Sequence, residues 1–214
     1  MNPYYERNGI TIYHGDCREI LPSVSADAVV SDPPYGIGFV KGAGGKGAHN
    51  VRNIAPVYGD DQPFDPSPWL SYKDVILWGA NHFAALLPHG RWLAWDKLNG
   101  VESYDSFSDV EFAWHNKRAA DRIFRYLWKG ICRDGERETR RAHPTQKPIA
   151  LMKWCIGFVA EDAVILDPFM GSGTTLVAAK ETDRKAIGIE IEERYCEIAA
   201  KRLEQEVLPL EVPA

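Results

Sequence analysis

The sequence predicts an α/β fold, a mostly parallel, doubly wound sheet with one antiparallel strand late in the chain. Short apolar runs alternate with helix-like runs along its length. One apolar run ends in Asp32-Pro33-Pro34-Tyr35, and another ends in a strand–glycine turn–helix pattern, Asp167-Pro168-Phe169-Met170-Gly171-Ser172-Gly173-Thr174-Thr175. The 214 residues, 45% of them hydrophobic, suit a single domain over 1–214 with a substantial core.

Taken in order, residues 10–13 read as a strand running into Gly15-Asp16, and 28–31 as the strand that carries the proline tip. Residues 69–87 read as a helix, a short apolar segment at 75–78 and a second helix. A strand is expected at 91–95, then two antiparallel strands at 110–115 and 122–128. A helix at 149–160, a strand at 163–166, a helix beginning at 174–180, a strand at 186–189 and a helix at 192–205 complete the pattern. Two stretches carry no period. Residues 36–58 are rich in glycine, and 129–142 are charged; both are expected to be mobile loops beside the site.

No apolar run is long enough to cross a membrane, and the N-terminus lacks a secretory pattern, so a cytosolic protein is expected. The cysteines Cys17, Cys132, Cys155 and Cys196 are widely spaced and read as reduced packing residues. The histidines show no metal-ligand spacing, and no metal is expected. Net charge is −5, which alone argues against a nucleic-acid partner. Its distribution argues for one. Between Lys117 and Lys147 ten basic residues meet four acids, and 36–58 holds Lys41, Lys46 and Arg52 with no acid. Such a basic face can grip phosphates, although a solvated surface would look alike. Lys41, Lys46, Arg52, Arg118, Arg133, Arg137, Arg140 and Arg141 are the candidate DNA contacts.

The two signatures carry the chemistry. Each proline of the tip fixes its own backbone and extends the residue before it. A carboxylate (Asp32), a carbonyl (Pro33) and an aromatic face (Tyr35) on a stiff tip with Pro34 suit a planar base bearing an amino group. In the second signature Asp167 ends a strand, Gly171 and Gly173 permit a sharp turn close to a ligand, and Thr174 opens a helix. Glu190 ends the following strand, where an acid can bind ribose hydroxyls; a surface acid is the plain alternative.

The 167–175 run resembles the S-adenosylmethionine loop of the amino-group DNA methyltransferases, and Asp32-Pro33-Pro34-Tyr35 resembles their catalytic tetrapeptide. His143-Pro144-Thr145-Gln146-Lys147-Pro148 resembles the segment that precedes the loop in one group of them. Tetrapeptide, basic region, then cofactor loop is the circularly permuted β-group order, on a Rossmann-like methyltransferase fold. The resemblance implies an adenine-N6 enzyme of restriction-modification type that flips its target base out of DNA. It implies S-adenosylmethionine contacts at Asp16, Cys17, Thr145, Lys147, Asp167, Phe169, Gly171, Ser172, Gly173, Thr174 and Glu190. It also implies a homodimer in a bacterial or bacteriophage-infected cytoplasm. Cytosine-N4 methylation is the nearest alternative, favoured less because its enzymes often carry Ser in the place of Asp32. RNA adenine methylation and a non-catalytic DNA-binding protein on the same fold are the others. Protein-glutamine methyltransferases place the cofactor loop first, against the order here.

Overall fold

In the computed structural model, which describes residues 2–38, 58–102, 108–129, 132–133 and 146–205, the chain opens with a locally encoded hairpin. Asn8 and Gly9 take φ of 50° and 78°, the left-handed pair that lets a two-residue turn follow strand twist. They join β1 (Tyr5–Arg7) to β2 (Ile10–His14), with Arg7 opposite Ile10. Apolar periodicity gives no hint of β1; the Asn-Gly pair is its signal.

The remaining elements are α1 (Cys17–Ile20), β3 (Ala28–Ser31), β4 (Asp74–Trp78), β5 (Arg91–Asp96), β6 (Val110–His115) and β7 (Arg122–Arg125). A small hairpin, β8 (Trp128–Lys129) and β9 (Cys132–Arg133), follows. Then come α2 (Ile149–Ile156), β10 (Ile165–Asp167), α3 (Thr174–Lys180), β11 (Ala186–Glu190) and α4 (Glu193–Glu204). The large sheet has the order β1-β2-β11-β10-β3-β4-β6-β5-β7. Neighbours from β2 to β4 are all parallel. β6 lies antiparallel to both β4 and β5, the expected late reversal. Only one of the two late strands runs against the sheet: β5 separates β6 from β7, and β7 runs parallel to β5.

Two further expectations are corrected between residues 58 and 88. Strand β4 is flanked by 3₁₀ turns at Ser67–Trp69, Ala80–His82 and Ala84–Leu86 rather than by helices. Pro66 and Pro68 limit the first turn, and Gly79 in the left-handed region (φ 68°) interrupts the chain after β4. Phe83 leaves helical backbone (φ −129°, ψ 27°) and buries its ring, which divides the last two turns.

Alternation along each strand sorts the core into two layers. Ala28, Val30 and Ile165 face Leu151, Leu176 and Cys196 of the three long helices. Val29, Leu77 and Leu166 face Ile20, Phe64, Trp69 and Phe83 on the other side. Strands β3 and β10 are direct neighbours. From β3 the chain moves on to β4 on one side, and from β10 to β11 on the other. Their carboxyl ends therefore flank a topological switch point, where open α/β sheets bind ligands. Among the described residues no helix is long and apolar enough to cross a membrane.

Candidate active site

Both sequence signatures emerge at that switch point. Asp32 follows the last residue of β3, and the glycine bend follows β10. Ser31 Oγ donates a 2.7 Å hydrogen bond to Asp167 Oδ1, and the Phe169 N–H donates to the same oxygen at 3.2 Å. One buried carboxylate thus ties the strand bearing the tip to the turn bearing the glycines. Burial drives the Asp167 carboxyl up to about 6 despite its hydrogen bonds to Thr175 and Ser31.

The tip is held from below by a residue that the sequence does not flag. Asp60 Oδ1 accepts hydrogen bonds from the backbone N–H groups of Tyr35 (2.9 Å), Gly36 (2.9 Å) and Ile37 (3.4 Å). The Asp60 carbonyl accepts from Gly38 N–H at 2.7 Å. Gly79 makes room for the Tyr35 ring, because a Cβ at that position would lie 2.0 Å from Tyr35 Cε1. His82, itself exposed, stacks on Tyr35 with ring centroids 5.1 Å apart and planes 16° apart. A base expected to stack on Tyr35 therefore meets a ring already covered, and His82 must yield if the base takes that face.

Charged groups crowd Asp32. The Tyr35 hydroxyl donates to Asp32 Oδ1. Lys147 Nζ donates to Asp32 Oδ2 at 2.7 Å and to the Tyr35 hydroxyl at 3.0 Å. Lys147 also stands 3.2 Å from Glu111 Oε2, and Lys97 Nζ bonds Glu111 Oε1 at 3.1 Å. Burial raises the Asp32 carboxyl, against the pull of Lys147 and Tyr35. Burial disfavours the Lys147 charge, but Asp32 and Glu111 outweigh it and hold the ammonium well above its usual range. Burial also opposes the Glu111 charge, and there Lys147 and Lys97 win, leaving that carboxyl below its usual range. Lys147, implied by resemblance to sit near the cofactor, bonds the Asp32 carboxylate in this structure. Thr145 lies outside the described residues.

The bend itself is built by backbone. Gly171 and Gly173 take φ of 49° and 77°, where side chains are strained. The Gly171 N–H donates to Glu190 Oε2 at 2.9 Å, and the Glu192 N–H donates to Glu190 Oε1 at 2.8 Å. Ser172 and Thr174 are buried and turn their hydroxyls toward Arg202 of α4, 3.3 Å from each. They shape the turn rather than offer hydroxyls to the cleft. Phe169 is half-buried and packs edge-on against Phe64 and Trp69, with centroids at 5.8 and 5.5 Å. Asp16 caps α1 at the end of β2, beside β11, and pairs with Arg18, whose hydrogen bond holds its carboxyl low. Cys17 is half-buried, and burial pushes its thiol up to about 11. Asp16, Asp167 and Glu190 thus stand at the carboxyl ends of three neighbouring strands. Acids for hydroxyls, a side-chain-free bend and an aromatic flank fit a nucleoside donor laid across those ends.

Of the basic candidates, Arg118 is exposed and described. It follows β6, whose antiparallel course delivers it to the opposite end of the strands from Asp32; its neighbour Lys117 pairs at 3.0 Å with Asp74, the first residue of β4. Arg133 is described only by its backbone in β9. Lys41, Lys46, Arg52, Arg137, Arg140 and Arg141 lie outside the described residues.

Comparison with known proteins follows the same lines. A family model described as DNA methylase matches residues 97–201. The type II methyltransferase M.ScaI of Streptomyces caespitosus is 30% identical across 97% of this chain and 86% of its own length. The crystal structure described as an M1.HpyAVI–SAM complex superposes with a TM-score of 0.59 at 25% identity, covering 92% of this chain and all (100%) of that one. The PvuII DNA methyltransferase, described as cytosine-N4-specific, reaches a TM-score of 0.61 at 14% identity, over 96% of this chain and 90% of that one. That last likeness concerns the fold alone.

Proposed function

The chain belongs to the DNA methylase family of S-adenosylmethionine-dependent enzymes, and from that premise we propose that its acceptor is the N6 amino group of an adenine lifted out of DNA. The observation that carries the reading is the Ser31–Asp167 bond. It joins the Asp-Pro-Pro-Tyr tip and the glycine bend, so acceptor and donor meet over one cleft.

S-adenosylmethionine, when bound along the bend, supplies an electrophilic sulfonium methyl. An aromatic amine is a weak nucleophile, because its lone pair is delocalised into the ring. The tip supplies what it lacks. Asp32 and the Pro33 carbonyl accept the two amino hydrogens, which draws the nitrogen toward tetrahedral geometry and frees the lone pair. The N–C bond forms as the S–C bond breaks, positive charge appears on nitrogen, and the Asp32 carboxylate stabilises it before a proton leaves. Asp32 already receives two donors here, the Tyr35 hydroxyl and the Lys147 ammonium, so its oxygens face groups that donate hydrogen bonds. Extruding a base costs a few kcal/mol. Stacking on Tyr35, once His82 moves aside, returns about 1–3 kcal/mol.

Asp32 in the place of Ser supports adenine over cytosine, whereas the fold is common to both, as the PvuII likeness illustrates. The proposal extends to duplex DNA as partner and to a bacterial or phage-infected cytoplasm as setting, as for type II modification enzymes. A homodimer is included, to be checked by sizing in solution. Incubating the protein with S-adenosylmethionine and unmethylated DNA, then digesting to nucleosides, decides the base. N6-methyl-2′-deoxyadenosine is expected; N4-methyl-2′-deoxycytidine would replace the proposal with its rival, and no methylated nucleoside would overturn both.

A further inference from the structure

We propose that Glu111 is a positioning residue for this methyl transfer: it receives the Lys147 ammonium when the target amino group displaces that ammonium from Asp32. The inference rests on the reading of Asp32 as the group that binds the amine.

Both Asp32 oxygens are taken in this structure, one by the Tyr35 hydroxyl and one by Lys147 Nζ. An amino group arriving at Asp32 needs one of them. Lys147 is the donor that competes most closely with it, being another N–H group on the same carboxylate. The Lys147 side chain is only 7% exposed, so an ammonium released from Asp32 stays buried and needs another carboxylate. Glu111 is that carboxylate. Its Oε2 lies 3.2 Å from Lys147 Nζ, within ion-pair range, yet among the described residues this buried oxygen is met by no well-directed hydrogen bond. Its other oxygen is fixed by Lys97 at 3.1 Å. One acceptor of Glu111 is therefore anchored by a hydrogen bond, and the other faces the lysine through an ion pair alone.

Topology explains the placement. β6 descends antiparallel between β4 and β5, so Glu111, near its start, stands at the edge where Asp32 emerges. Trp95 of β5 lies opposite Glu111 in register, and Lys97 follows that strand. The result is a row of alternating charge, Lys97, Glu111, Lys147 and Asp32. Tyr35 and its stacked His82 lie over the last member, and Asp167 stands behind it through Ser31. Removing Glu111 deletes the second seat for Lys147 and also deletes a like charge near Asp32, which favours the Asp32 carboxylate. Removing Lys97 deletes a positive charge and acts in the opposite sense.

The test compares wild type, Glu111→Gln, Glu111→Asp and Lys97→Gln in single-turnover methyl incorporation into unmethylated DNA from pH 5 to 9, with S-adenosylmethionine affinity measured in parallel. Glu111→Gln is expected to slow transfer at least about tenfold while cofactor affinity stays within about twofold. The acid limb of its rate profile moves to lower pH, and that of Lys97→Gln moves to higher pH. Glu111→Asp recovers part of the rate. Wild-type speed in Glu111→Gln, or slow transfer with an unmoved acid limb, overturns the inference. If Glu111→Gln does not fold, an unmoved limb in Lys97→Gln overturns it. Failure of the wild type to methylate DNA strikes at the proposed function itself, not at Glu111.

Discussion

Asp60→Ala isolates the support of the Asp-Pro-Pro-Tyr tip from that of the glycine bend. Two N–H groups, those of Tyr35 and Gly36, reach Asp60 Oδ1 at 2.9 Å, and a third, from Ile37, at 3.4 Å. Hydrogen bonds to a charged group are each worth about 1.5–3 kcal/mol. Water can reach part of the vacated space, so two good bonds and one weak one give a net loss of about 3 kcal/mol on substitution by alanine. Asp60→Asn keeps an acceptor and loses the charge, at about 1 kcal/mol. The tip then shifts relative to the bend, and displacement by an ångström costs about a hundredfold in rate. Urea unfolding reads the stability, single-turnover methylation reads the rate, and a titration reads cofactor affinity. The expected pattern is lower stability, a rate down about a hundredfold and unchanged cofactor affinity. A rate equal to wild type in Asp60→Ala refutes the claim that these bonds set the tip.

Two other perturbations follow from the same geometry. Gly79→Ala introduces a Cβ 2.0 Å from Tyr35 Cε1 at a residue with φ 68°. Methylation should fall at least about tenfold while S-adenosylmethionine still binds, and a crystal structure should show Tyr35 displaced. Asp167 has its pKa raised to about 6 in the fold. A carboxyl raised in this way destabilises the folded state as pH climbs from the unfolded value through the folded one. Asp167→Asn keeps an oxygen for Ser31 and Phe169 and abolishes that loss. Its stability relative to wild type should therefore improve by up to about 3 kcal/mol between pH 4 and pH 7.5, measured by urea unfolding at both.

What the sequence revealed and what it hid divide by range. Asp32-Pro33-Pro34-Tyr35 and the Gly171–Gly173 bend are local devices, in which proline and glycine dictate backbone within a few residues, and both sit where the sequence places them. Beyond Tyr35, the charges that surround Asp32 are not local. Lys147 lies 115 residues further along the chain, and Glu111 sits in a strand whose apolar alternation drew attention away from its one acid. Asp60 follows a glycine-rich stretch and gives no sign that it grips the tip 25 residues before it. The fold was misread where short range also fails. Around β4 the apolar spacing imitates helices, but prolines and Gly79 leave single 3₁₀ turns. Arg118 belongs to the basic stretch of the sequence, and the reversal of β6 carries it to the far end of the strands from Asp32.

The decisive measurement is methyl incorporation into DNA by the wild type and by Asp32→Ala, each paired with S-adenosylmethionine binding and identification of the methylated nucleoside. If one carboxylate on the tip aligns an amine held opposite the glycine bend, the wild type yields N6-methyl-2′-deoxyadenosine, and Asp32→Ala yields none while binding the cofactor as before. Methylation that survives in Asp32→Ala, or cofactor binding lost together with activity, would contradict that arrangement.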